Sequence, residues 1–210
     1  MTDIERNLAG ELLEIGAVLL RPDEPFTWAS GWKSPIYCDN RRILSYPGLR
    51  EKVAGWLCEK AALICPDAEV VAGVATGAIA HGVLVAQKLG RPFVYVRSAR
   101  KDHGTGSRIE GVLKKGSRVV VIEDLVSTGK SSLSAVRALR EAGADVRGMA
   151  AIFTYSFPEA EKAFADDGVR LETLSNYPAL VQVAAEKGRL SPEEAETLGK
   201  WRENPSEWNR

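Results

Sequence analysis

Two acidic side chains stand together at Glu123-Asp124, directly after the apolar run Val119-Val-Val-Ile122 and before the small-residue stretch Ser127-Thr128-Gly129-Lys130-Ser131. Adjacent carboxylates at a strand end can accept hydrogen bonds from a polyol, hold a metal or stabilise a developing cation. The Ser-Thr-Gly-Lys-Ser turn offers free backbone N–H groups where a helix begins, a setting that suits a phosphate. One loop thus supplies acceptors for sugar hydroxyls and donors for a phosphate, which together fit a phosphorylated sugar. Gly129-Lys130-Ser131 also imitates the end of the nucleotide-binding motif G-x-x-x-x-G-K-[ST]. The first glycine of that motif would fall on Asp124, whose carboxylate would repel the phosphates. A capped helix after a buried strand would explain Ser127 or Thr128, but not two carboxylates in succession.

A second cluster runs Arg97-Ser98-Ala99-Arg100-Lys101-Asp102-His103-Gly104-Thr105-Gly106. Cationic and titratable side chains among repeated glycines make a mobile, positively charged flap. Such a flap can close over a polyanion, exclude water and neutralise charge on a leaving group. Taken alone, the same stretch is also what a solvated basic loop looks like. No covalent nucleophile emerges, because Ser131 and Cys65 lack a base and the histidines are His81 and His103 alone. His81, at a Gly-flanked helix start, reads as structural. Trp32 fits either stacking on a base or packing, and Trp56, Trp201 and Trp208 fit core or interface.

The elements that must position these groups alternate along the chain. Apolar spacing predicts a helix from about Ile4 to Leu20, extended pieces at Phe26–Trp28 and Pro35–Cys38, and a helix from Pro47 to Ile64. Strands are expected at Val70–Val74, Phe93–Val96, Arg118–Ile122, Val146–Phe153 and Val169–Leu174. Helices are expected at Ile79–Leu89, Ser131–Ala142, Pro158–Ala165, Tyr177–Glu186 and Pro192–Trp201, with 98–116 left as a polar, Gly-rich segment. Continuous apolar strands alternating with helices argue for an α/β protein whose parallel sheet is covered on both faces. Ligands of such sheets bind beyond the carboxyl ends of the strands, which is where both clusters fall.

The chain has 210 residues, enough for one domain with one core, and 45% hydrophobic with 27% charged residues is ordinary for a globular protein. Lys+Arg and Asp+Glu are 28 each, so no net charge steers the protein toward nucleic acid or an anionic membrane. Cys38, Cys58 and Cys65 lack CxxC spacing and read as thiols in a reducing compartment. Acidic residues stand where a signal peptide needs basic ones, and the longest uncharged run, 70–87, is broken by glycines. A soluble, cytoplasmic protein is expected, with neither nucleic acid nor membrane as partner.

The residues also carry a resemblance. Val119 to Ser131 resembles the phosphoribosyl pyrophosphate (PRPP) loop of the type I phosphoribosyltransferases, in which several apolar residues precede two acidic ones and Thr/Ser-x-Gly. Arg97 to Gly106 resembles the R-x-x-x-K-[DE]-H-G loop of the orotate phosphoribosyltransferases, and Phe26-Thr-Trp-Ala-Ser-Gly-Trp-Lys-Ser-Pro-Ile-Tyr37 is similar to their F-x-x-x-S-G-x-x-S-P segment. Val74 to Ala80 stands where that family has its pyrophosphate turn, and Leu190 to Trp208 resembles its closing helix. The likeness implies the type I phosphoribosyltransferase fold in a single domain over 1–210. Its hood would span about 1–45 plus the C-terminal helix, its core about 46–175, and its mobile catalytic loop about 98–112.

The resemblance further implies transfer of the phosphoribosyl group from PRPP to orotate, with Mg²⁺, in pyrimidine (UMP) synthesis. It implies a homodimer in which the loop of one subunit completes the site of the other. Carried over by position, Arg97, Lys101 and His103 would contact the diphosphate, with Thr76 and Gly77 in the pyrophosphate turn. Lys101, His103 and Asp124 would be catalytic. Glu123 and Asp124 would hold the ribose hydroxyls, and the backbone of Leu125, Val126, Ser127, Thr128, Gly129, Lys130 and Ser131 would surround the 5′-phosphate side. Lys33 and Ser127 would meet orotate, and Mg²⁺ would ride on the PRPP diphosphate near Glu123 and Asp124 rather than in a protein cage. Family members often carry a further cation where this chain has Ser98, and an orotate arginine beyond the strand ending at Phe153, where Thr154-Tyr155-Ser156-Phe157 has none. A phosphoribosyltransferase for another base, and a PRPP- or nucleotide-sensing regulator that binds RNA, are the alternatives. Base competition and salt-dependent RNA binding separate them.

Overall fold

A run of apolar residues long enough to be a strand, and apolar on both faces, must have protein on both sides of it, and that requirement organises the chain. The computed structural model describes residues 1–28, 31–99 and 107–208. In chain order it contains α1 (Asp3–Glu14), β1 (Val18–Leu20), β2 (Phe26–Thr27), β3 (Lys33–Ser34), β4 (Ile36–Cys38), a 3₁₀ turn (Asn40–Ser45), α2 (Pro47–Ile64), β5 (Val70–Val74) and α3 (Ala78–Leu89). It continues with β6 (Phe93–Val96), β7 (Ile109–Glu110), β8 (Arg118–Val126), α4 (Lys130–Glu141), β9 (Asp145–Thr154), α5 (Pro158–Asp166), β10 (Leu171–Asn176), α6 (Tyr177–Glu186) and α7 (Pro192–Glu203).

Six strands form the main sheet among the described residues, in the order β10-β9-β8-β5-β6-β7, parallel except for β7. β5 is buried along its whole length and Val119–Ile122 of β8 are at 0% exposure, as a sheet covered on both faces requires. One helical layer is formed by α2 and α3, which pack on each other and reach β9, β10, β5 and β8, while α4 packs against β6, β8 and β9. The chain leaves β5 toward β6 on one side and returns to β8 on the other. The winding therefore reverses between β5 and β8, where doubly wound sheets open a crevice at their carboxyl ends.

These two strands are not matched in length. β5 pairs with β8 only as far as Gly73 against Ile122, whereas β8 continues beside β9 to Val126 against Thr154. Beyond Val74 the chain turns through Ala75, Thr76 and Gly77 into α3, with a cis peptide between Ala75 and Thr76. Among the described residues, the last stretch of β8 thus has an edge with no strand beside it.

The N-terminal segment covers that opening. β1 pairs antiparallel with β4, and β2 with β3. α7 packs beneath the hairpin: Trp201, at 0% exposure, donates its indole N–H to the Lys33 carbonyl at 3.1 Å and meets the rings of Trp28, Tyr155, Phe157 and Tyr177. Tyr177 donates its hydroxyl to the Leu198 carbonyl at 3.0 Å, tying α6 to α7.

Three expectations need correction. The first helix stops at Glu14 rather than near Leu20. Gly16, at φ +65°, turns the chain, and Val18 to Leu20 leave as a strand with Val18 buried and Leu19 exposed, an alternation the helical spacing had masked. β8 runs past Ile122 to Val126, because β9 continues to pair with it, so the acidic residues lie on the strand and not on the loop after it. The segment 98–116 contains β7, paired through Val96 with Ile109 and Tyr95 with Glu110. No helix among the described residues is long and apolar enough to cross a membrane. Replacing Trp201 by Ala removes the largest fully buried side chain and should lower stability by about 3–5 kcal/mol, read from urea unfolding.

Candidate active site

Two cavities lie side by side at the carboxyl end of the sheet. One, about 330 Å³, opens between β5 and β8 and is walled by Thr76 and Gly77 of the β5–α3 turn, by Glu123, Asp124 and Leu125 of β8, by Ser131 of α4, and by Cys38, Asp39 and Arg41. The other, about 280 Å³, is walled by Thr27, Trp28, Tyr37, Cys38, Leu125, Ser127 and Tyr155. Cys38 and Leu125 belong to both, so the acidic cavity and the aromatic one share a wall.

The two carboxylates have different surroundings. Glu123 is 3% exposed; its Oε2 accepts the Ser132 hydroxyl at 2.8 Å and its Oε1 the Asp124 N–H at 3.0 Å. Burial, and next the charge of Asp124, push the Glu123 carboxyl well above its ordinary range. Asp124 is raised too, chiefly by burial, with the hydrogen bonds it accepts and Arg41 working the other way. Its carboxylate lies so close to Gly77 that a Cβ there would overlap it, which makes glycine the residue this approach requires. The Asp124 carbonyl accepts the side-chain amide of Asn40 at 2.6 Å.

The helix start beside them is built for an anion. α4 begins after Gly129, which has no side chain to cap it, so the first-turn N–H groups remain open to the solvent side. Ser127 Oγ takes the Thr128 N–H at 2.6 Å, closing the turn on itself. Arg41 is held by Asp39 through bonds of 2.6 and 3.0 Å, and its guanidinium keeps the Asp39 carboxyl below the usual range.

The structure therefore brings together Thr76, Gly77, Glu123, Asp124, Leu125 and Ser131 in one cavity and Ser127 with Leu125 in the other. Lys33 is not in the wall of either cavity, but its ammonium donates at 2.8 Å to the hydroxyl of Thr27, which lines the aromatic one. Val126 is buried, and the side chain of Lys130 points out toward Glu159 at 3.7 Å, so these two and Thr128 offer backbone rather than side-chain groups. Arg97 lies past the end of β6, 3.7 Å from Glu110. Lys101 and His103, with Arg100, lie outside the described residues. Trp28 rather than Trp32 walls the aromatic cavity; Trp32 stacks behind it at 6.4 Å. Sequence reasoning missed Cys38, Asp39, Asn40, Arg41 and Tyr155 as site residues. The run Cys38-Asp39-Asn40-Arg41 just after a short strand was the available signal.

A doubly wound sheet whose switch point joins strand-end carboxylates to an uncapped helix start is the architecture of a phosphoribosyltransferase. The profile of the family described as "Phosphoribosyl transferase domain" matches residues 42–185. The orotate phosphoribosyltransferase of Listeria monocytogenes is 51% identical over 207 residues, covering 99% of either chain. The crystal structure of the Aeropyrum pernix orotate phosphoribosyltransferase superposes with a TM-score of 0.76 at 32% identity, over 88% of this chain and 99% of that one. That of the Mycobacterium tuberculosis orotate phosphoribosyltransferase in complex with PRPP does so with 0.65 at 27% identity, over 84% and 98%. This chain belongs to the orotate phosphoribosyltransferase family.

His81, on α3 behind the acidic cavity, is 1% exposed, and burial holds its pKa down at about 4 against an ordinary 6.5. The unfolded chain then binds the proton first as pH falls, so stability should drop from pH 6.5 toward 4, by on the order of 3 kcal/mol. Glu123, raised instead, loses its stabilising contribution as pH rises. Comparing unfolding midpoints of wild type and His81→Leu at each pH removes that opposing trend, and the variant should lack the acid-side drop.

Proposed function

We propose that the chain transfers the 5-phosphoribosyl group of PRPP to orotate, giving orotidine 5′-monophosphate and pyrophosphate, as a cytoplasmic enzyme of pyrimidine synthesis. The observation that carries the reading is the shared wall: an acidic cavity beside an uncapped helix start, suited to a phosphorylated ribose, adjoins a cavity of about 280 Å³ lined by Trp28, Tyr37 and Tyr155, suited to a base. A bond between the two ligands would form beside Cys38 and Leu125.

In this reading the 5′-phosphate lies on the N–H groups of the 127–131 turn, and the ribose hydroxyls face Asp124, with Glu123 behind it. As the diphosphate departs, the ribose carbon becomes cation-like. Asp124 then lowers the energy of that centre, and cations on the other side take up the charge of the leaving group. Glu123, held by Ser132 and by the Asp124 N–H, keeps the working carboxylate in place. Trp28 and Tyr155 give the base an apolar slot, while Ser127, Lys33 and backbone N–H groups serve its polar edge. Tyr155 occupies the stretch where the family arginine is missing, and it contributes ring surface in place of charge.

The donor set suits Mg²⁺ brought in on the diphosphate. No group of three or more His, Cys, Asp or Glu that could hold a metal occurs among the described residues, whereas Asp124 and Glu123 line the cavity. Mg²⁺ commonly keeps several waters and binds through one or two carboxylates plus substrate phosphates. When bound it would neutralise diphosphate charge. Arg97, Lys101 and His103 complete the cationic side, and the family likeness supports a homodimer in which the loop around 98–112 of one subunit serves the site of the other. The hood, about 1–45 with the C-terminal helix, would carry the base side and the core, about 46–175, the PRPP side.

The decisive experiment follows orotate absorbance with PRPP and Mg²⁺. Loss of orotate that needs both, and that reverses with added pyrophosphate, is expected; turnover with a different base instead would overturn the choice of substrate. Lys101→Ala should lower kcat by about two orders of magnitude while PRPP still binds, measured by steady-state kinetics and calorimetry. Asp124→Asn should impair kcat/KM for PRPP more than orotate affinity, and the reverse ordering would show that the two cavities have been assigned the wrong way round.

A further inference from the structure

Cys38 and Leu125 form the wall between the two cavities, one from the hood and one from β8. The residue that joins these two segments is Asn40. It lies two positions after Cys38 and is 1% exposed. Its Nδ2 donates to the carbonyl of Asp124, the residue before Leu125, at 2.6 Å, and its Oδ1 accepts the Cys38 thiol at 3.4 Å. A carbonyl only accepts, so the amide must turn its NH₂ that way, which leaves its oxygen for the thiol. β8 stays in register with β9 from Glu123 to Leu125, whereas on its other side β5 pairs no further than Ile122. Among the described residues no strand continues β5 on that side to meet the Asp124 carbonyl, and the Asn40 amide does so instead.

We propose that Asn40 is a positioning residue for the transfer, fixing the distance between the base held against the hood and the ribose held against β8. The proposal rests on the orotate phosphoribosyltransferase reading above. A base in one cavity and a sugar in the other react only across the wall they share, and reacting atoms must come within about 3–3.5 Å. If the hood slips along β8, each cavity keeps its own lining and its own ligand, but the two reacting atoms no longer meet. The loss should then fall on turnover and not on the binding of either substrate. A purely structural role would lower stability and leave the kcat of the folded protein alone.

The test measures forward kinetics, calorimetric binding of orotate alone and ribose 5-phosphate alone, and thermal melting for wild type, Asn40→Asp and Asn40→Ser. Asn40→Ser removes the amide donor, and its hydroxyl is too short to reach the Asp124 carbonyl, whereas the buried carboxyl of Asn40→Asp can protonate and donate in its place. The expected result for Asn40→Ser is a fall in kcat of about 10–100-fold, with both KM values and both dissociation constants within about threefold of wild type. A folded Asn40→Ser with unchanged kcat overturns the proposal. So does a rise in one KM with kcat kept, since Asn40 would then serve a single cavity. Should both variants fail to fold, Asn40→Gln, which keeps an amide but shifts its reach without touching either cavity wall, decides the matter: a smaller fall in kcat with KM kept is expected, and none overturns the proposal. Wild-type protein without orotate turnover would overturn the functional reading and this inference with it, whereas turnover with unaffected variants overturns the inference alone.

Discussion

Past Ile122, strand β8 has a neighbour on one side only, and the backbone groups along its open edge must find partners that a ladder would otherwise provide. Side chains supply them. The carboxylate of Glu123 takes the Asp124 N–H, and the amide of Asn40 takes the Asp124 carbonyl. Because no strand fills the gap, the turn after β5 can bring the bare backbone of Gly77 up to the Asp124 carboxylate, and a cavity remains above it. The site is thus a consequence of unequal strand lengths. Lengthening β5 by a pair would close it.

The same stretch separates two chemically identical groups into two roles. Both line the cavity, but Glu123 commits its oxygens to the Ser132 hydroxyl of α4 and the Asp124 N–H, while the Asp124 carboxylate lies against Gly77. Burial raises both carboxyls, and the deeper Glu123 more firmly. Arg41, fixed by Asp39, faces the cavity from the hood and favours the charged form of Asp124. Two adjacent residues thus give one carboxyl bonded to α4 and one that faces Arg41 and Gly77.

The core was legible because its signals are long and local. Val70–Val74, Phe93–Val96 and the helices at Pro47–Ile64 and Tyr177–Glu186 fall where apolar runs, Pro and Gly punctuation set them. The acidic pair and the Ser127–Ser131 turn could be read for the same reason. The hood was harder. Its strands are two or three residues long, too short to show a period, and Val18–Leu20 continues the spacing of the helix before it until Gly16 breaks the chain. Asn40 and Tyr155 escaped notice because their partners lie far along the chain, Asn40 at Asp124 and Tyr155 beside Trp28 and Trp201. One residue's spacing cannot reveal a contact of that kind.

The indole of Trp201 on the carbonyl of Lys33 joins segments 168 positions apart. Contacts that distant form late, since the intervening chain must be ordered first. During synthesis the sheet from β5 to β10 can assemble before α7 has left the ribosome, while the β2–β3 hairpin still lacks the ring it rests on. The sheet-side wall of the acidic cavity is therefore completed early and the aromatic cavity last. A chain interrupted before α7 would keep the strand-end carboxylates in place while the hairpin over the aromatic cavity had nothing to rest on.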